Sequence, residues 1–330
     1  MRTRKTHLRK TRNKPNRTFD FVILAVIMVV AVAFRLRGLF QQPASEATSF
    51  WSNLPFALLG AGSIYLIYLI GRQWFNRKAG LFSAAFFAVS QFTVVCNQQT
   101  WPLALGLFFV LLAAWFWHKI VFGTKMPAMG IYVGFALSIL VCSLAHGFAW
   151  IQALLIFLTG WIWLPRERRK WYGINGIASV ALSVPMFLFL SPKLFPCDSL
   201  GAEVSVPTIT FFTDFLQYTM NNSHLFIFVA GIIVILPFII GKRSRQRNPL
   251  RWVGVGWFVI VMAAAIAYSF LGRPILQYNT LIFCYPFLII VAFSLFKSRT
   301  LSPWQTALAV AAILFAGCAS LVMAQSTGLF

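Results

Sequence analysis

Six carboxylates stand among 330 residues: Asp20, Glu46, Glu167, Asp198, Glu203 and Asp214. With so few, each position carries information. Glu46 lies in a short polar stretch, residues 41–52, between two apolar runs. A carboxylate there either takes a proton from a hydroxyl as a general base or serves as an ordinary solvated loop residue. Arg35 and Arg37 close the first apolar run, and Arg273 opens a later one. Guanidinium groups gathered on one side of a membrane hold a phosphate or pyrophosphate through their fork of donors, or simply snorkel to the interface. Asp214 stands between Phe212 and Phe215, either lining a groove or opening a helix after Thr213, where acids are favoured. His146 joins two apolar runs in Ala-His-Gly and reads as a turn residue. No second His or Cys stands at ligand spacing, so neither a metal nor a cofactor is expected.

The elements that must position these residues follow from composition. Hydrophobic residues make up 59% of the chain and charged ones 10%, with a mean hydropathy of +0.78. A soluble domain has roughly a quarter of its residues charged, so a soluble fold is excluded. The predicted class is all-α, a polytopic integral membrane protein. Apolar stretches long enough to cross about 30 Å of hydrocarbon fall near 20–38, 53–71, 79–96, 101–118, 127–145, 147–164, 173–194, 223–241, 252–271, 276–296 and 303–323. These runs are continuously apolar and do not alternate as a barrel would. The expectation is eleven transmembrane helices.

Basic residues set the orientation. With a cytoplasmic N-terminus, the tail 1–19 and the loops on its side hold 24 of the 28 Lys and Arg, and the other face holds Arg35, Arg37, Lys193 and Arg273. The C-terminus then falls outside. A net charge of +22 invites a nucleic-acid partner, but charges grouped between apolar runs write membrane topology instead. The lipid bilayer is the expected surrounding, and the plasma (inner) membrane the expected location. The first apolar run is long and ends in Phe34-Arg35-Leu36-Arg37, so it reads as an uncleaved span.

The domain division is a basic tail 1–19, a transmembrane domain 20–324 and a short outer tail 325–330. The outer stretch 195–222 is long, and its aromatic second half reads as a helix lying in the interface. Cys96, Cys197 and Cys284 fall near one face. A bridge among them is one reading; small core hydrophobes is the other. Pro185, Pro237 and Pro286 interrupt apolar runs and either kink helices around a cavity or serve packing.

The order of features resembles the GT-C superfamily of membrane glycosyltransferases, in the branch of the dolichyl-phosphate-mannose protein mannosyltransferases and aminoarabinose transferases. The resemblance rests on Phe34-Arg35-Leu36-Arg37-Gly38-Leu39, on the span entry Asn53-Leu54-Pro55-Phe56-Ala57-Leu58, and on the turn Gly71-Arg72-Gln73-Trp74-Phe75-Asn76-Arg77-Lys78-Ala79-Gly80. Later, Arg273-Pro274 and Tyr278-Asn279 through Tyr285-Pro286 resemble the family's Arg-Tyr-Leu span. The similarity is best over 30–120 and returns at about 205–220 and 270–295. It implies a polyprenyl-phosphate sugar donor bound at the outer face. It implies Glu46 as the proton acceptor, and Arg35, Arg37, Gln98, Gln99, Asp214, Arg273, Tyr278 and Asn279 as substrate-binding residues.

The departures fall on the chemistry. The family's first outer loop carries two adjacent carboxylates; here Ser45-Glu46 stands in a contracted loop, so Glu46 matches the second acid or neither is kept. The family's Ser-Gln-Glu-Ala-Arg becomes Asn97-Gln98-Gln99-Thr100-Trp101, and Asn279 stands where Arg is common. The family's soluble C-terminal region is not expected, because the chain stops soon after the eleventh span. Gln and Asn still hydrogen-bond a sugar but take no proton at neutral pH. Three readings follow. One is a transferase of a lipid-linked sugar. Another is a non-catalytic membrane subunit or scaffold that kept the fold and works with other membrane proteins. The third, a small-solute transporter, lacks paired intramembrane charges.

Overall fold

The computed structural model describes residues 17–40, 47–99, 101–194, 210–239, 248–271, 276–296 and 301–326. Among them every element is helical, in agreement with the all-α expectation. In chain order they are α1 (Arg17–Phe40), α2 (Ala47–Trp74), α3 (Arg77–Val89), α4 (Gln91–Gln99), α5 (Trp101–Phe122), α6 (Met129–Ala145) and α7 (Gly147–Trp163). There follow α8 (Arg166–Leu194), α9 (Phe211–Thr219), α10 (His224–Ile239), α11 (Pro249–Leu271), a 3-10 segment (Tyr278–Phe283), α12 (Tyr285–Phe293) and α13 (Pro303–Ser326).

Five of these helices, α1, α2, α5, α11 and α13, are long and apolar enough to cross a membrane. A sixth span results if α9 and α10, bent by 93° at their junction, count as one. This is fewer than the eleven apolar stretches, and the reason is local. Stretch 79–96 breaks at Ser90 into α3 and α4. Stretch 276–296 breaks at Cys284 into the 3-10 segment and α12. α6 and α7 are 17 residues each, about 25 Å at helical rise. Pro237 lies inside α10, whereas Pro286 opens α12, a position where its missing N–H costs nothing.

The spacing of Gly71 and Gly80 has a packing cause. A Cβ on Gly71 would meet Gly80 Cα at 2.8 Å, and one on Gly80 would meet the Tyr68 carbonyl at 2.5 Å. Only glycine lets α2 and α3 approach this closely. Asn76 caps α3 by accepting from the Lys78 and Ala79 amides, both at 3.0 Å, which satisfies donors the helix start leaves open.

Around that turn the loops predicted to share the basic face meet one another. Arg77 pairs with Asp20 at 2.9 Å. Lys78 Nζ donates to the Leu301 carbonyl and Asn76 Nδ2 to the Phe296 carbonyl, each at 2.6 Å. Asn248 Nδ2 donates to the Trp74 carbonyl at 2.8 Å. Beneath this layer Trp74, Trp117, Trp257 and Phe287 form a buried aromatic cluster with ring centroids 4.8–6.1 Å apart. The outward surface is apolar: Leu158, Phe228, Leu271, Leu308 and Phe315 are exposed, as expected of residues that face lipid rather than water.

Candidate functional site

Of the predicted site residues, the half of the bundle away from the basic loops holds Arg35, Arg37, Asp214, Tyr278 and Asn279. α1 starts at the Asp20–Arg77 pair, and Arg35 lies about 22 Å further along its axis at 1.5 Å per residue. The side chain of Arg35 is completely buried, and its Nη1 donates to the Ala31 carbonyl at 3.1 Å. An arginine enclosed at this depth is unusual, because charge is expensive inside a membrane and is kept where it has a role. Arg37, two residues on, is exposed.

α3 and α4 bring a second group to a similar depth. The break at Ser90, about 20 Å from Arg77, receives the end of α9: Ser90 Oγ donates to the Thr219 carbonyl at 2.7 Å. α9, the aromatic helix expected at the interface, packs one side against the bundle. Phe212 lies against Phe258 on α11 at 6.2 Å between centroids. Phe215 is fully buried against Phe92 at 5.5 Å and Tyr285 at 5.3 Å. Residues 195–209, including Asp198, Glu203 and Cys197, lie outside the described residues.

The turn after α9 is pinned by Asn221. Its Oδ1 accepts from the Gln91 amide at 2.5 Å, and its Nδ2 donates to the Val89 carbonyl at 2.9 Å and to Ser320 Oγ at 2.7 Å. The backbone of Asn221 and Asn222 is left-handed, with φ of 60° and 50°, a conformation that Asn tolerates better than most residues. One side chain thus ties the α3–α4 break, the α9–α10 elbow and α13.

Tyr278 and Asn279 open the 3-10 segment and complete the layer. Tyr278 stacks on Tyr218 at 5.3 Å and meets Phe211 at 5.2 Å and Phe215 at 5.8 Å. Asn279 Oδ1 accepts from Cys96 Sγ at 3.3 Å. Both Tyr278 and Asn279 are partly exposed, and Asp214 is exposed on α9. Gln98 and Gln99 close α4 within one turn of Cys96, so the chain carries them past the Asn279 contact. The structure therefore gathers Asn279, Tyr278, the end of α4 and α9 in one layer. Glu46 and Arg273 lie outside the described residues.

The cysteines answer one question. Cys96 and Cys284 are buried and free, so no bridge joins them. His146 is the turn residue expected: its Nδ1 accepts from the Phe148 amide at 3.2 Å and caps α7. Its ring lies 5.1 Å from Phe283, and burial pushes its pKa down to about 4, which keeps it neutral.

Sequence reasoning missed Tyr218, Phe92, Cys96 and Asn221 as parts of this layer. For Asn221 a signal existed, since Asn-Asn between two apolar segments marks a left-handed turn. The pairing of Cys96 with Asn279 had none, because the two are far apart in the chain.

Residues 44–189 match the family of dolichyl-phosphate-mannose-protein mannosyltransferases. The chain is thus similar to GT-C membrane glycosyltransferases over α2 to most of α8. Arg35, α9 and the 3-10 segment lie outside the matched stretch. No curated protein and no solved structure matches the chain.

Proposed function

We propose that this multi-pass membrane protein, GT-C glycosyltransferase-like over residues 44–189, binds a polyprenyl-phosphate-linked sugar on the face opposite its basic loops. The observation that carries the reading is the buried aromatic layer with polar openings. Tyr278, Asn279 and the end of α4 meet α9 there, and Arg35 is enclosed at a comparable depth. Aromatic rings offer flat apolar surface to a sugar, and Asn and Gln offer hydrogen bonds to its hydroxyls. In this reading Arg35, Arg37 and Arg273 hold the phosphate. Asp214, exposed beside the aromatic wall, and Gln98 and Gln99 complete the contacts.

Transfer, where it occurs, has a simple balance. An acceptor hydroxyl oxygen bonds to the anomeric carbon as the bond from that carbon to the phosphate oxygen breaks. The acceptor proton passes to the Glu46 carboxylate, and polyprenyl phosphate leaves with its charge held by the arginines. Placement of residue 1 in the cytoplasm, eleven crossings and residence in the plasma membrane belong to the same reading.

A second reading is a binding subunit without transfer activity. It is favoured by the Cys96–Asn279 contact: two neutral side chains meet where the resembled family commonly has a cation. Purification in nanodiscs followed by mass spectrometry of bound lipids tests the shared premise. Co-purifying polyprenyl-phosphate sugar is the expected result, and its absence across several host membranes would overturn both forms. Incubation with a panel of lipid-linked sugars then separates a transferase from a binding subunit.

A further inference from the structure

Arg168, in the first turn of α8, is only 7% exposed. Its guanidinium donates to three carbonyls across the end of α5 and the loop that follows. Nη1 reaches Ile120 at 2.6 Å, and Nη2 reaches Gly123 at 2.7 Å and Lys125 at 3.2 Å. A helix C-terminus leaves such carbonyls without intrahelical partners, and a cation suits that end of the dipole. The consequence is geometric: the α5–α6 loop is fixed against the α7–α8 turn.

That clamp brings Lys125 to the same corner as Arg166, Arg169 and Lys170, and all four are exposed. Arg169 Nε leans to the Leu164 carbonyl at 3.4 Å, and the Lys170 amine lies 5.9 Å from the Trp171 ring. Glu167 is the single acidic residue between positions 119 and 175, so the corner carries a clear positive excess. On the adjoining turns of α7 and α8, Trp161, Ile162, Trp171 and Ile174 expose apolar surface. Topology alone asks only for positive charge in a loop. It does not ask for a buried arginine that holds two loops in register.

We propose that this corner is a binding site for the head group of an anionic phospholipid, with the acyl chains lying along Trp161, Ile162 and Ile174. The charge is complementary to a lipid phosphate, and the adjoining apolar strip is what separates a lipid from a soluble anion. Basic pockets at helix ends bind anionic head groups through this combination. The site lies at the opposite end of the bundle from the proposed sugar site and does not depend on it.

The test uses the full chain in nanodiscs of phosphatidylcholine with about one fifth phosphatidylglycerol, followed by native mass spectrometry of retained lipid. Wild-type protein is expected to retain phosphatidylglycerol above its bulk share. The combined Arg166→Gln, Arg169→Gln, Lys170→Gln variant is expected to lose about tenfold or more of that preference, while phosphatidylcholine retention stays constant. Equal preference in the variant, or none in the wild type, would overturn the site. Should the triple variant fail to fold, Lys125→Gln replaces it, with a loss of about fivefold. Raising salt from about 0.1 M to about 0.5 M should also weaken retention by wild-type protein, because screening shortens the reach of the charges. Insensitivity to both would equally overturn it. Displacement by millimolar glycerol phosphate would assign the corner to a soluble phosphate and remove the lipid.

Discussion

Asn221 Nδ2 donates to the Val89 carbonyl at 2.9 Å, and through that bond the elbow between α9 and α10 holds the break between α3 and α4. A helix that ends at Val89 inside the bundle leaves carbonyls without partners, and no water is at hand to serve them. The same side chain accepts from the Gln91 amide, so it satisfies both sides of the break. Asn221→Ala should therefore lower stability by about 2–4 kcal/mol, the cost of stranding a buried donor and acceptor. Asn221→Gly relieves the left-handed backbone but not the lost bonds, and should fall between the two. Thermal unfolding in detergent, followed by fluorescence, checks the order. A wild-type midpoint for Asn221→Ala would mean that the break needs no lock.

The glycines of the α2–α3 turn make a second, sharper contrast. Gly80→Ala places a Cβ 2.5 Å from the Tyr68 carbonyl and 3.0 Å from the Arg72 amide. Both are backbone atoms, so the helices must separate, at a cost of about 1–3 kcal/mol or more. Gly256→Ala in α11 meets nothing within 4 Å and should be neutral or stabilising by up to about 1 kcal/mol. Comparable losses in the two variants would show that the close approach of α2 and α3 is not what Gly80 provides.

His146 supplies a pH dependence with a definite sign. Burial lowers its folded pKa to about 4 from the ordinary histidine value of 6.5. The unfolded chain therefore binds the proton first on acidification. The stabilising contribution is complete above about pH 6.5 and is lost progressively as pH falls towards about 4. His146→Asn keeps a capping oxygen and removes the titration, so its unfolding midpoint should change less over this window. Identical pH profiles for the two proteins would reject the assignment.

Phosphate contact is tested at Arg273 and, separately, at Arg35. Arg273→Ala should weaken polyprenyl-phosphate binding by about 1.5–3 kcal/mol, the range for a charged hydrogen bond. Arg273→Lys should rescue only part, because the ammonium lacks the planar fork. A change below a few tenths of a kcal/mol would leave interfacial anchoring as the sufficient role. Arg35→Ala is expected to reduce folded yield as well as binding, since this side chain is enclosed.

Catalysis, where present, should divide the roles of Glu46 and Asp214. Glu46→Gln keeps size and hydrogen bonding but removes the basic oxygen. Turnover should fall about 10²-fold or more with donor binding nearly unchanged. Asp214→Asn should instead raise KM with little effect on kcat, as expected of a binding residue. The reverse pattern would transfer the proton to Asp214.

Much of this molecule is written in local composition. Apolar runs with few charges can satisfy their backbone groups in lipid only as helices, so the all-helical membrane class was legible from residues alone. One short motif was legible in the same way, His146 as a turn; the Gly71-to-Gly80 stretch was legible as a turn, while its close packing and the Asn76 cap came from the structure. Tertiary structure decided where the helices break and what meets at the breaks. Ser90 and Cys284 lie in apolar stretches that the sequence reads as single spans, although Pro286 marks an interruption near Cys284. At Ser90 the helix can stop because distant Asn221 completes its hydrogen bonds, whereas at Cys284 the bonds are local, to Leu281 and from Phe287. For the same reason the layer joining Cys96 to Asn279 and Tyr218 to Tyr278 could not be read along the chain. Such contacts are selected by three-dimensional packing between residues far apart in sequence, and periodicity describes only which face of a helix is buried, not which neighbour it finds.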